Sequence, residues 1–303
     1  MRAIVFEQFG GPEVLQVQQV DEPHAGPGQL RIAVKAAAVN PLDFKIRNGW
    51  FEAFMPTTFP AVPGSEVAGV VDEVGAGVTE FAVGDEVVGW AQGGSYADYA
   101  IAGLVVKKPA DVSWEQAVAL PIAGETAARV LRELGVKEGE TLLLHGAAGG
   151  VGSVAIQLAV ALGVTVIGTA SEANHDFVRS LGAIPILYGE GLVDRVKAVA
   201  PQGVDAVFDS AGQGALPDSI ELRGGTDRVI TIADMGAADL GVTFSMESSS
   251  PEVTTAGLIE QLQLAADGKL TLTVAKTFGL EDARTAQEIS ETGHIRGKLV
   301  LLP

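Results

Sequence analysis

The chain has no cysteine in its 303 residues. Disulfides, thiolate-bound zinc, iron–sulfur clusters and cysteine nucleophiles are therefore excluded. Positive charge is also scarce: 20 Lys and Arg face 38 Asp and Glu, a formal net charge of −18. A nucleic-acid surface needs clustered cations to displace counterions from phosphates, so no DNA or RNA partner is expected, and any anionic ligand must be caught locally. The amino end, MRAIVFEQFGG, has one Arg and no apolar run of signal-peptide length, so a cytoplasmic location is the expectation. No fixed-period repeat and no low-complexity segment is present. What is there is apolar: 47% of residues are hydrophobic, enough for two domains with a core each.

One stretch lacks charge altogether. From Thr141 to Ala170 there is no Asp, Glu, Lys or Arg, a length that would span a bilayer. Two features argue for a buried strand–helix–strand unit instead. Leu142–Leu144 and Val164–Ile167 are short strand-like runs, and between them Val151, Val154, Ala155, Leu158 and Leu162 recur at intervals of three and four. Gly163 supplies the helix stop. No membrane partner is expected.

Residues 1 to about 115 read as short strands broken by Gly, Pro and Asp: RAIVF, EVLQV, LRIAVKAAAV, VAGVVDEVG, DEVVGW, YADYAIA and LVVKKPA. Their close spacing predicts a barrel-like or sandwich β domain. SWEQAVAL opens a helix with Ser113 as N-cap. From there strands and helices alternate: TLLLH, the helix above, VTVIGT, a helix over Asn174–Leu181, IPILY, a helix over Leu192–Val199, VDAVFDS and RVITIA. Such alternation predicts an α/β domain, a doubly wound parallel sheet with helices on both faces. The tail, KLTLTVAKTFGL, a helix at Glu281–Glu291 and GKLVLLP, returns to strand character and is expected to rejoin the first domain. The predicted division is residues 1–115 with 266–303, and 116–265 as an insertion.

HGAAGGVGSV, His145 to Val154, packs four glycines into ten positions between a strand and a helix. Ala147-Ala148-Gly149-Gly150-Val151-Gly152 fits the dinucleotide fingerprint with Ala for its first glycine. Glycines let the backbone approach a pyrophosphate, whose charge meets unpaired N–H groups and the positive end of the helix dipole. Without that ligand the segment would be only a tight turn. The next strand ends Gly168-Thr169-Ala170-Ser171, without the Asp or Glu that binds the ribose hydroxyls of NAD. Ser171 and Asn174 can donate to a 2′-phosphate and His175 or Arg179 can add charge, which favours NADP(H). Glu172 argues the other way, and Arg179 beside Asp176 also suits a solvated helix face.

The motifs together carry a resemblance. Asn40-Pro41-Leu42-Asp43 with Lys45-Ile46-Arg47, Pro63-Gly64-Ser65-Glu66 running into VAGVVDEVGAGV, Gly84-Asp85-Glu86-Val87, Gly94-Ser95-Tyr96-Ala97, Leu120-Pro121 to Thr126, Ala147 to Gly152 and Gly297-Lys298 occur in order over essentially the whole chain. In these the chain resembles the medium-chain dehydrogenase/reductase superfamily, and within it the zinc-independent, zeta-crystallin-like quinone oxidoreductases. The resemblance implies a GroES-like β-barrel catalytic domain with a Rossmann domain inserted, a homodimer, and a small-molecule quinone or enone substrate. Zinc-dependent relatives bind their metal through a Cys and through the His of a Gly-His-Glu motif. Asn40 and Ser65 stand at those positions here, so no metal site is expected and no Lewis acid polarises an alcohol or carbonyl oxygen.

The chemistry implied is hydride transfer from NADPH to a quinone or an α,β-unsaturated carbonyl, whose conjugated oxygen spreads the developing charge. By the same resemblance Asn40 meets the carboxamide or the substrate oxygen, Asp43 orders that loop, Thr126 lies near the nicotinamide or its ribose, and Tyr188 flanks the adenine. The pyrophosphate falls to Ala148, Gly149, Gly150 and Val151. Plainer readings exist: turn chemistry for Asn40 before Pro41, a cap for Asp43, an interior position for Thr126. Two departures from the family pattern stand out. The helix after Ser171 has no Lys before Leu181, and Glu125 replaces an apolar residue ahead of Thr126. A nucleotide-binding sensor or structural protein without turnover is the alternative outside enzymes. A dedicated enoyl reductase of a biosynthetic pathway is the alternative within them.

Overall fold

Short amphipathic strands separated by tight turns dominate the first part of the chain. The computed structural model describes residues 1–303. β1 (Arg2–Val5) and β2 (Gln16–Gln19) pair antiparallel, while Glu13 and Val14, the start of the expected strand EVLQV, belong to a 3-10 turn over Pro12–Val14 because Pro12 presets its first position. β3 (Leu30–Val39) leads through Asn40 into α1 (Pro41–Arg47). β4 (Glu66–Val74), β5 (Glu86–Gln92) and β6 (Tyr99–Lys107) follow. β3 pairs antiparallel with both β4 and β6, closing a small barrel and leaving those edges covered.

α2 (Trp114–Val118) begins at Ser113, whose hydroxyl accepts from the Gln116 amide at 3.2 Å. After α3 (Pro121–Leu134) the alternation sets in: β7 (Thr141–His145), α4 (Gly150–Ala161), β8 (Thr165–Thr169), α5 (His175–Ser180), β9 (Ile184–Ile186), α6 (Leu192–Val199), β10 (Ala206–Asp209), α7 (Leu216–Arg223), β11 (Val229–Thr231) and β12 (Thr243–Phe244). The tail consists of α8 (Pro251–Ala266), β13 (Val274–Gly279), α9 (Ala283–Glu291) and β14 (Lys298–Leu302). The uncharged stretch is thus β7–α4–β8, with Gly163 in the left-handed region (φ +78°) beyond the helix. No helix is long and apolar enough to cross a membrane.

The chain divides into two compact units, residues 1–122 with 251–303 and residues 123–250. These bounds differ from the sequence-based ones at both ends. α2 packs on β3 and β4, and α8 lies against β6, so their apolar faces are covered by the first unit. In that unit β14 pairs antiparallel with β3 and parallel with β13, so the tail completes the sheet that begins the chain.

In the second unit all six strands are parallel, in the order β12-β11-β10-β7-β8-β9. Counted from β7, this is the Rossmann order, and the direction of winding reverses between β7 and β10. Leu142, Leu143 and Leu144 are fully buried, and each contributes roughly 2–3 kcal/mol on leaving water. A run this apolar is tolerated because helices cover both faces of the sheet.

Candidate active site

The glycine turn lies where the winding reverses. His145 ends β7 and is buried; its Nε2 meets Ser219 Oγ at 3.0 Å and its Nδ1 meets Thr169 Oγ1 at 3.3 Å. Ser219 donates to the Ala215 carbonyl, so it accepts from Nε2–H, and burial holds the ring below its ordinary pKa and neutral. From that anchor the chain turns at Gly146, with φ +76°. The Gly149 amide donates to the Gly146 carbonyl at 3.0 Å, and the Ala147 amide donates to Thr169 O at the end of β8. Ser210, at the end of β10, donates both its amide and its hydroxyl to the His145 carbonyl, so the two strands flanking the reversal are laced together.

α4 then starts with no side chain capping it, since its N-cap is Gly149. The first-turn amides of Gly150, Val151 and Gly152 have no intrahelical acceptor and stay available at the positive end of a twelve-residue helix. A Cβ on Gly152 would stand 2.2 Å from the Gly146 carbonyl oxygen, so the turn closes this tightly only without a side chain. The residues present therefore fit a dinucleotide pyrophosphate. Asp209, fully buried, braces the opposite wall: its Oδ1 accepts from the amides of Ala211 and Gly212, and its Oδ2 from Thr231 Oγ1 at 2.7 Å. Sequence reading did not single it out; an acid closing the apolar run VDAVFD was the available signal.

At the end of β8, Ser171 Oγ accepts from Asn174 Nδ2 at 3.1 Å, which leaves the hydroxyl hydrogen free to donate outward. His175 Nε2 lies 3.3 Å from the Ala170 carbonyl. Arg179 is turned to Asp176 at 2.5 Å with both side chains exposed, the solvated arrangement weighed above. Tyr188, 44% exposed, sits in the loop after β9, and Arg195 clamps that loop by donating to the carbonyls of Leu187, Tyr188, Gly189 and Glu190.

Asn40 and Asp43 meet in the first unit. The Asp43 carboxylate returns to the Asn40 amide at 2.8 Å, holding the start of α1, and accepts from the buried Tyr96 hydroxyl at 2.8 Å. Asn40 Nδ2 donates to Glu66 Oε2 at 2.7 Å, Lys298 Nζ donates to Asn40 Oδ1, and Lys298 reaches Glu66 at 2.8 Å. Glu66 Oε1 takes the Ile122 amide at 2.7 Å. All of these side chains are buried. The Asn40 carboxamide is therefore gripped on both its oxygen and one hydrogen, with the second hydrogen left over. Arg47 extends the polar interior by donating to Gln287 and Glu291 of α9.

Burial, opposed by the bonds from Asn40 and Tyr96, pushes the Asp43 carboxyl up to about 6, and its Oδ1 has no partner. Between the ordinary value of 3.8 and about 6, the folded chain holds a proton that the unfolded chain has released. Stability from this group is thus full below pH 4 and falls by about 3 kcal/mol as pH rises to 6. Asp43→Asn is expected to remove that slope. Urea midpoints from pH 4 to 8 for both proteins check it, and parallel curves would refute the assignment.

Thr126 lies on α3 in the second unit, 8% exposed. Glu125 beside it is internally matched: Arg129 Nε donates to it at 3.1 Å, and the Ser249 amide and hydroxyl donate at 3.0 Å each. Its charge ties α3 to the segment before α8. No three or more His, Asp or Glu side chains gather as a metal site.

With this geometry in place the comparisons are specific. Residues 26–110 match the family model of the alcohol dehydrogenase GroES-like domain, and residues 181–301 that of the zinc-binding dehydrogenase. A quinone oxidoreductase from Lama guanicoe is 33% identical over 323 residues, covering 100% of this chain and 97% of that protein. A 2-methylene-furan-3-one reductase from Solanum lycopersicum is 34% identical over 100% of this chain and 79% of its own length. Among solved structures, Escherichia coli quinone oxidoreductase complexed with NADPH superposes with a TM-score of 0.90 at 28% identity, covering 100% of both chains. Barrel, parallel sheet, glycine turn and whole-length identity agree: the chain belongs to the medium-chain dehydrogenase/reductase superfamily, in its zeta-crystallin-like quinone oxidoreductase branch.

Proposed function

We propose that the protein is an NADPH-dependent, zinc-independent reductase of quinones or α,β-unsaturated carbonyls. The observation that carries the reading is the set of unpartnered amides at Gly150, Val151 and Gly152, at the reversal point of the parallel sheet. NADPH, when bound, supplies a hydride from its nicotinamide. Those amides, with Ala148 and Gly149 shaping the turn, hold the pyrophosphate. Ser171, Asn174, His175 and Arg179 serve the 2′-phosphate, and Tyr188 serves the adenine. Asn40, oriented by Lys298 and Glu66, keeps one N–H for a carbonyl oxygen, Asp43 fixes the helix start beside it, and Thr126 serves the nicotinamide side. Asn40 and Ser65 offer no metal the ligands of the zinc-dependent relatives, so charge on the reduced substrate is spread by its own conjugation. The names of the relatives, quinone oxidoreductase and furanone reductase, support this substrate class. The same reading takes the protein to be a cytoplasmic homodimer acting on a small molecule.

Purified protein is expected to oxidise NADPH when given 1,4-benzoquinone or an enone, with no effect of EDTA. Loss of activity on chelation would refute the metal-free chemistry, and NADPH binding without turnover across a broad panel would favour the sensor. Replacing Ser171 and Arg179 together by Ala should weaken NADPH binding about tenfold more than NADH binding. Equal losses would place the 2′-phosphate elsewhere.

A further inference from the structure

Hydride transfer gives the motif Gly94-Ser95-Tyr96-Ala97 no task, yet the first unit is built closely around its tyrosine. Tyr96 is fully buried. Its amide donates to the Pro63 carbonyl at 3.0 Å and its carbonyl accepts from the Ile4 amide at 2.8 Å, so the main chain is pinned on both sides. The ring lies against Gly64, where an added Cβ would stand 2.4 Å from Tyr96 Cδ1. A phenylalanine would keep all of these contacts. The hydroxyl has a separate reason, because withdrawing one from water without a partner is unfavourable.

That reason is Asp43. The hydroxyl donates to Asp43 Oδ2 at 2.8 Å and is the one side chain that does so, the second bond coming from the Asn40 amide. Asp43 Oδ1 has no partner. From α9, Gln287 faces the Tyr96 hydroxyl while its own Oε1 accepts from Arg47, so the phenolic hydrogen is left to Asp43. Burial, and then the charge of Asp43, hold Tyr96 far from ionising. The carboxylate that closes the first turn of α1 is thus fixed by a donor 53 residues away.

We propose that Tyr96 is a positioning residue of the reduction: by tying Asp43 it fixes the turn at Asn40, and with it the N–H that Asn40 offers to the substrate oxygen. This deepens the reductase reading and rests on it. Ionised Asp43 is the competent form, because a charged acceptor holds the Asn40 amide and the Tyr96 hydroxyl about twice as strongly as a neutral one. The groups that face Asp43 set the sign of the pH dependence. The Asn40 amide, Tyr96 and Lys298 of β14 favour the charged form, burial and Glu66 of β4 oppose it, and the balance falls at about 6. Without the hydroxyl it moves up to about 7, since a hydrogen bond to a charged group is worth roughly one tenfold step or more.

The test is single-turnover oxidation of NADPH by saturating 1,4-benzoquinone, from about pH 5 to 8.5, in the native protein, Tyr96→Phe and Asp43→Asn. The native rate should fall on the acid side of about pH 6 and that of Tyr96→Phe on the acid side of about pH 7. The variant is then about tenfold slower at pH 5 and close to native at pH 8.5. Asp43→Asn should lack this limb, and NADPH affinity should be unchanged in Tyr96→Phe, whose ring fills the same space. The side-chain amide resonances of Asn40, followed by NMR, should titrate with the same midpoints. A loss of rate equal at every pH would show that the hydroxyl only supports the fold and would overturn the proposal. So would an unshifted limb, weakened NADPH binding in place of a slower step, or Asn40 resonances that keep the native midpoint in Tyr96→Phe. If the native protein turns over no acceptor, the reductase reading fails, while the Asn40 resonances still decide on Tyr96.

Discussion

Lys298→Met is expected to remove about 3–5 kcal/mol of stability, because it strands a carboxylate in the interior. Glu66 is fully buried, and Lys298, 6% exposed, is its cationic partner at 2.8 Å. The remaining donors to Glu66, Asn40 Nδ2 and the Ile122 amide, are neutral. A second change locates the cause. In Lys298→Met/Glu66→Gln neither member of the pair leaves an unmatched charge, and most of the loss should be regained. Urea unfolding of the three variants at pH 7 measures this; a loss below about 1 kcal/mol, or simple additivity in the double variant, would show that the pair does not act as a unit. The double variant still lacks the grip of Lys298 on the Asn40 oxygen and changes that of Glu66 on its Nδ2, so restored stability without restored activity would mark the pair as positioning residues.

Gly152→Ala is expected to weaken NADPH binding about 100-fold, since overpacking of this kind costs roughly 3 kcal/mol. The added carbon would lie 2.2 Å from the Gly146 carbonyl oxygen and 3.0 Å from Ala147 Cα. Both neighbours are main chain, so no side chain can move aside. Relief must come from the turn itself, which would carry the free amides of α4 away from the pyrophosphate. Gly257→Ala, on α8 and away from the turn, is the control: its Cβ would meet nothing within 4 Å. Titration with NADPH separates the two, and equal affinities for native protein and Gly152→Ala would refute this account.

Local pattern reached the fold well and the site unevenly. The strand–glycine–helix signal is contained within residues 141–169, so turn, anion-ready helix and parallel sheet were all readable from neighbours in the chain. α7 and β12 were not: Leu216–Arg223 mixes Pro, Asp and Ser on a short helix, and a two-residue strand has no periodicity to detect. The network around Asn40 escaped for a different reason. Lys298 lies 258 residues from Asn40 and 232 from Glu66, and only the return of β14 to β3 brings them together. Gly297-Lys298 carried the resemblance, but nothing in its sequence surroundings says that the ammonium points inward. Arg179 lies on the legible side: its spacing from Ser171 and its exposed neighbour Asp176, three residues before it, were both readable.

The turn before α4 works through main-chain dipoles, whose pull on an anion extends only over contact distances. The charge of −18 acts much farther out and repels the same anion on its way in. At physiological salt the screening length is about 8 Å, so added ions quench the distant repulsion before they loosen the close contacts. Ionic strength therefore eases the approach of an anionic cofactor to this protein, whereas it loosens the grip of a basic protein on nucleic acid.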